Sequence, residues 1–262
     1  NQENSGGLSK DNSGAENHCT LFTIAESPKD KNVIWAGTDD GNVQVTKDGG
    51  KTWTNVTANI KGLPLNTWCY HIEASNFNSG TAYAVFDGHT KNDYQAYTYK
   101  TTDYGKTWNS IITKDIEGFT RSLQEDYVNE NLLFLGTEKG LYITIDGGKN
   151  WSKFENNMPA APVFYIDLHK KTNDLVMATH GRGIIILDDI SVLRQITQDV
   201  VKKDVHFFQT KAYPKLEESS FGGTASELEF VGENPNSDAQ IVYYLKKRNT
   251  FGKMEMEIQD AN

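Results

Sequence analysis

The feature that most constrains this chain is an octapeptide that occurs three times. Thr46-Lys47-Asp48-Gly49-Gly50-Lys51-Thr52-Trp53 is followed by Thr101-Thr102-Asp103-Tyr104-Gly105-Lys106-Thr107-Trp108 and by Thr144-Ile145-Asp146-Gly147-Gly148-Lys149-Asn150-Trp151. The surroundings repeat with it. Ahead of the first copy come an alternating segment from Leu21, a turn at 28–32, a strand at 33–37, a second turn at 39–42 and a third strand. The same order returns from Cys69, from Thr120 and from Val163. In the fourth unit Thr179 and Gly183 take the places of Thr38 and Gly41, Asp188-Asp189 stand near the position of the motif Asp, and the Gly-Lys-Trp ending is missing.

Each unit is therefore about four short strands in roughly 40 to 55 residues, the size of a propeller blade. The fold expected is all-β: four blades over 18–190, probable members of a larger ring in which further blades are the nearest partners. A polar segment at 1–17 precedes them. The stretch 190–203 has apolar residues near one helical face and Ser191 as a candidate N-cap, so 191–226 reads as a helix and linker. Two strand signals follow at 241–245 and 254–258, expected to pair as the first hairpin of a β-sandwich module over 227–262.

The motif has a physical reading in its own residues. Asp48, Asp103 and Asp146 are short carboxylates at a hairpin, suited to accept bonds from the N–H groups of their own turn. Gly50, Gly105 and Gly148 permit the positive φ that the turn requires. Trp53, Trp108 and Trp151 open the next strand and are expected to pack over the blade or against its neighbour. All nine are read as structural.

These octapeptides resemble the Asp box, or BNR repeat, of sialidases, xyloglucanases and sortilin-type receptors. Thr179-His180-Gly181-Arg182-Gly183-Ile184 with Leu187-Asp188-Asp189, and Asn234-Pro235 through Leu245, are similar to segments of large bacterial proteins described as sortilin-like or as glycosyl hydrolase BNR-repeat proteins. The resemblance implies a propeller followed by a sandwich, and an exported protein of the bacterial periplasm, cell surface or exterior. It implies a fold and leaves the activity open.

Blade topology divides the surface. Asp boxes mark one face. The opposite face carries the turns at Thr38-Asp39-Asp40-Gly41, Asp87-Gly88-His89, Thr137-Glu138-Lys139 and Thr179-His180-Gly181-Arg182. His89, Tyr94, His180, Arg182 and Trp68 are the candidate ligand-binding residues there, for a protein, a peptide or a glycan. Arg182 pairing with Asp188 or Asp189 in its own blade is the competing structural reading. The alternative function is a glycoside hydrolase of the xyloglucanase type, using two carboxylates from Asp39, Asp40, Asp87 and Glu138 across the scissile bond. A sialidase fits less well, because four arginines dispersed along the chain make no cluster for a substrate carboxylate.

Composition narrows the field further. A net charge of −9 with no basic block argues against nucleic acid and anionic membrane partners. No apolar run is long enough for a membrane span, and no signal peptide opens the sequence. The polar opening without Met and the turn at the last residues read as an internal segment of something longer. Cys19 and Cys69 suggest two separate thiols rather than a disulfide or metal site, and no cofactor motif is present. Asn55 and Asn150 match the N-glycosylation pattern, of consequence only in a eukaryotic secretory route.

Overall fold

The computed structural model describes residues 20–210 and 240–259. The chain divides between Arg194 and Gln195 into two compact units. The first contains four antiparallel sheets in up-and-down order. Blade 1 is β1 (Leu21–Glu26), β2 (Ile34–Thr38), β3 (Val43–Thr46) and β4 (Thr54–Asn55). Blade 2 is β5 (Trp68–Ala74), β6 (Ala82–Asp87), β7 (Tyr97–Thr101) and β8 (Asn109–Ser110). Blade 3 is β9 (Thr120–Glu125), β10 (Leu133–Thr137), β11 (Gly140–Thr144) and β12 (Ser152–Lys153). Blade 4 has three strands among the described residues, β13 (Val163–His169), β14 (Asp174–Thr179) and β15 (Ile184–Leu187), and its sequence has no Gly-Lys-Trp ending.

Side chains on a strand point alternately to its two faces, so a middle strand buried on both sides reads as continuous apolar sequence. On β6, Ala82, Ala84 and Phe86 pack with Val33, Trp35, Val43 and Val45 of blade 1. The intervening Tyr83 and Val85 pack with Leu133, Leu135 and Trp151 of blade 3. Phe134 and Leu141 of blade 3 then meet Ile166, Leu175 and Met177 of blade 4. The core is thus three inter-blade layers rather than one centre. The layers are tight enough to dictate glycine: a Cβ on Gly136 of β10 would lie 2.5 Å from the Val163 carbonyl oxygen of the next blade.

The three boxes are near superimposable in their bonding. Thr46, Thr101 and Thr144 donate Oγ1–H to the box carboxylate at 2.8, 2.9 and 2.8 Å. The same oxygens accept from the N–H of Gly50, Gly105 and Gly148 at 3.0, 3.0 and 3.1 Å. Each carboxylate takes the N–H four residues on, from Thr52, Thr107 or Asn150, at 2.9 Å. It also takes that residue's side-chain donor, at 2.6, 2.7 and 2.7 Å. Asn150 of the glycosylation pattern therefore has its amide engaged within a box. The bonds hold the charged form: Asp48 is lowered to about 2, first by the Thr52 hydroxyl, and Asp103 and Asp146 are lowered as well.

The box tryptophans pack on the preceding blade. Trp108 meets Trp35 edge-on with centroids 5.9 Å apart, and Trp151 donates its indole N–H to the Ile111 carbonyl at 2.7 Å. Trp53 has no such sheet among the described residues; it is 42% exposed and donates to the Gly50 carbonyl of its own box.

Two expectations are corrected. The stretch 190–203 is not an α-helix: a 3-10 turn at Ile190–Gln195 gives way to irregular turns. Side chains fix it to the blades instead of letting it extend. Arg194 donates to Asp126 at 2.8–3.0 Å and to Asn173 Oδ1, and Asp189 accepts the Ser191 N–H at 3.2 Å. In the second unit β17 (Tyr243–Leu245) pairs with β16 (Val205–Phe207), and 254–258 forms no strand. The expected hairpin between 241–245 and 254–258 is therefore replaced by a pairing of 243–245 with 205–207. The linker 209–226 and the start of the sandwich segment lie mostly outside the described residues, as does Cys19. Cys69 is a free buried thiol whose pKa burial raises.

Two outcomes follow for stability. Trp108→Ala and Trp151→Ala are each expected to cost about 3–5 kcal/mol in denaturant titrations, whereas the exposed Trp53→Ala costs under about 1 kcal/mol. Asp48→Asn is expected to melt below the wild type at pH 7. Because a depressed carboxylate pKa contributes stability above its unfolded value, that gap should close as pH falls from 4 towards 2.

Candidate functional site

The first strand of each blade, β1, β5, β9 and β13, packs against the first strand of the next and breaks register once near its start. The breaks fall between Leu21 and Thr23, between Cys69 and His71, between Thr120 and Ser122, and between Val163 and Tyr165. A β-bulge leaves one residue unpaired and re-aims its side chain. Here the unpaired residues are Phe22, Tyr70, Arg121 and Phe164, one from each successive blade. They form a row. Phe22 and Tyr70 have centroids 5.2 Å apart, and the Arg121 guanidinium lies 4.3 Å from the centroids of both Tyr70 and Phe164.

Arg121 is buried within that row, and so is its counter-ion. Asp87, at the end of β6, places Oδ2 2.9 Å from Arg121 Nε and both its oxygens 2.8 Å from His89 Nδ1. Burying a lone guanidinium would cost several kcal/mol, and pairing with a carboxylate between aromatic rings offsets that. The pair is consequently a charge-compensated floor. Other rings stand around it: Trp68 meets Phe22 edge-on at 4.6 Å, and His89 stacks on Phe119 at 4.9 Å. Tyr94 is tilted against Phe119 at 6.3 Å, and His180 stacks on Phe164 at 5.2 Å.

Four of the five sequence-derived ligand candidates, Trp68, His89, Tyr94 and His180, thus meet in one aromatic cluster on the face opposite the boxes. Arg182 does not join it. It is exposed and donates to the Gly181 carbonyl at 3.2 Å, in place of the pair expected with Asp188 or Asp189. The candidate carboxylates are each engaged locally. Asp39 accepts the Thr20 N–H at 2.9 Å, Asp40 accepts the Thr38 hydroxyl, Glu138 meets Lys139 at 3.2 Å, and Asp87 is held by Arg121 and His89. Sequence reasoning missed Phe22, Tyr70, Phe119, Arg121 and Phe164. Phe119 lies just before the first strand of its repeat and the other four within the first three residues of theirs, but the bulges that re-aim them are not marked in the sequence.

Among the described residues, no helix is long and apolar enough to cross a membrane, and no group of three or more His, Cys, Asp or Glu side chains is placed to hold a metal ion.

Comparison with known proteins adds the following. The Sortilin-Vps10 family model, described as sortilin, neurotensin receptor 3, matches residues 96–249, more than half of the chain. Vacuolar protein sorting/targeting protein 10 of Leptosphaeria maculans is 34% identical over 79 residues, 30% of this chain and 5% of that protein. Its counterpart in Pyrenophora tritici-repentis gives the same identity and coverage. The match thus spans one-twentieth of the length of these relatives. Among solved structures, YCF48 from Cyanidioschyzon merolae is similar with a TM-score of 0.46 and 20% identity, over 64% of this chain and 52% of that one. The GH74 xyloglucanase from Xanthomonas campestris gives 0.46 and 11% identity, over 61% and 26%. An extracellular domain of BT4673 from B. thetaiotaomicron gives 0.49 and 17% identity, over 65% and 21%. With three Asp boxes, four propeller blades and a family match over more than half its length, the chain belongs to the Sortilin-Vps10 family.

Proposed function

We propose that this chain is a binding module of an exported protein, engaging a protein, peptide or glycan ligand through the face opposite the Asp boxes, with further blades as neighbours in its ring. The observation that carries this reading is the row of bulged residues. Four strands each depart from regular pairing at the same point, and the four side chains so released converge on one face. Bulges of this kind recur where a sheet re-aims a side chain towards a site. The core does not need them, because the inter-blade layers are complete without Phe22 and Tyr70.

The character of the surface fits recognition better than bond cleavage. Aromatic rings and Arg are the residue types that dominate binding energy at interfaces, and Phe22 and Tyr94 are exposed. Asp87, the one buried carboxylate among the four considered for hydrolysis, is already engaged by Arg121 and His89. The names of the family's relatives, which speak of vacuolar sorting and targeting, support a macromolecular ligand for this chain too.

The reading is tested by selecting binders from a displayed peptide library and from a neutral glycan array. The best hit is then titrated against Trp68→Ala, Tyr94→Ala and His180→Ala, with Trp53→Ala on the box side as control. At least a tenfold loss of affinity, about 1.4 kcal/mol, is expected for Trp68→Ala and Tyr94→Ala, and none for Trp53→Ala. Unchanged affinity in all three face variants, each shown to be folded, would overturn it.

A further inference from the structure

Past the bulges, towards the Asp-box end, the first strands enclose a cavity of about 320 Å³, within the range of small-ligand sites. Glu73 of β5 and Asp167 of β13 line it from two different blades, with Gln124 of β9 beside them and Glu26 at the end of β1. Glu73 Oε1 accepts from Gln124 Nε2 at 2.6 Å and from the Glu125 N–H at 3.4 Å, while no described residue donates to Oε2. Behind it Glu125 is buried and fully engaged by the Ser75 hydroxyl, the Asn76 N–H and the Tyr83 hydroxyl at 2.6–3.0 Å.

Among the described residues, no Lys or Arg forms an ion pair with Glu73 or Asp167. Lys170 is the one basic residue in the lining, and its ammonium lies 5.8 Å over the Tyr127 ring. His71 does not supply charge either, because burial lowers it to about 4, and its Nδ1 accepts the Leu123 N–H at 3.3 Å. Burial, with Glu125 and Asp167 adding to it, raises Glu73 to about 8. Tyr165, 55% exposed, stands edge-on to His71 and offers the cavity an aromatic surface.

We propose that the cavity binds an alkylammonium group, from a free polyamine or a lysine side chain, between the carboxylates of Glu73 and Asp167 and against the ring of Tyr165. The elements favour this class over other cations. A metal ion would need a cluster of ligands that is absent among the described residues. A guanidinium prefers one carboxylate presented in plane, whereas two carboxylates on separate strands suit a compact three-donor charge. An ammonium close to an aromatic face gains further attraction where water is partly excluded. Its arrival favours the ionised form of Glu73, so binding releases a proton and strengthens as pH rises. The groups around Glu73 are Glu125, Asp167, Glu26, Lys170, Tyr165 and His71, with His71 lowered and Tyr165 raised by burial.

Calorimetric titration of the full chain with spermidine, and separately with acetyl-Gly-Lys-Gly-amide, decides the matter. Saturable one-site binding is expected, with affinity rising between pH 6 and pH 9 and proton release shown by its dependence on buffer ionisation heat. Binding of spermidine alone identifies a polyamine site, and binding of the peptide identifies a side-chain site. Glu73→Gln, which keeps an acceptor for Gln124, and the more exposed Asp167→Asn are each expected to weaken binding at least tenfold. Trp68→Ala on the opposite face should leave it unchanged, which separates this site from the ligand face. Should Glu73→Gln fail to fold, Asp167→Asn carries the comparison. Absence of binding by both probes, or full affinity in the folded carboxylate variants, overturns the proposal.

Discussion

Everything in this molecule depends on the fact that a small twisted sheet has two faces and must cover both. A blade of four short strands, the last only two residues long, buries almost nothing by itself. Its core exists only between blades, and β6 shows why: Phe86 belongs to the layer shared with blade 1 and Val85 to the layer shared with blade 3. Stability is then shared between neighbours in series, as in other repeat proteins. The Asp box serves that arrangement. By closing the hairpin with bonds between Thr, Asp and the following N–H groups, it sets where the box Trp enters, and the Trp reaches back to the preceding sheet. Trp53 and Trp108 differ in exposure for this reason alone, since their boxes are bonded alike.

The same requirement explains why the first strands, and not the last ones, carry the candidate site. Each first strand is paired along its length with the second strand of its blade, and that ladder holds it through a local departure from pairing. A bulge near the start of each frees one side chain per blade without disturbing the layers beneath. Three of the four released residues are aromatic. The fourth, Arg121, brings a charge into the row, and Asp87 from the neighbouring blade meets it at 2.9 Å. This contact ties blade 2 to blade 3 at the face, as the Arg194–Asp126 contact ties the segment after blade 4 to blade 3 at the other end.

Much of this was legible in the sequence, and for physical reasons the rest was not. The boxes were visible because a turn needs Gly, Asp and Thr at fixed offsets, and those offsets survive in the chain. The short fourth unit was visible as a missing ending. Trp68, His89, Tyr94 and His180 were found by locating turns on one face. Arg121 was seen only as one of four arginines, because a bulge is a relation between two strands and leaves no mark within either. The stretch 190–203 has helical periodicity, but Arg194 and Asp189 commit it to side-chain bonds that periodicity does not reveal. The apolar signal at 241–245 marks a strand, β17, but does not name its partner, which is β16, and the alternation at 254–258 forms no strand.

The two ends of the first strands handle charge in opposite ways. At the face, Arg121 is buried against Asp87, so what remains accessible is ring surface. At the box end, Glu73 and Asp167 line one cavity, and burial raises the Glu73 carboxyl above its ordinary range. The two proposed sites draw on the same strands at different positions, Tyr70 and Phe164 for one, Glu73 and Asp167 for the other. Side chains that alternate and bulges that re-aim one of them allow such neighbours to face different surroundings, so each site can be changed by substitution without unmaking the other.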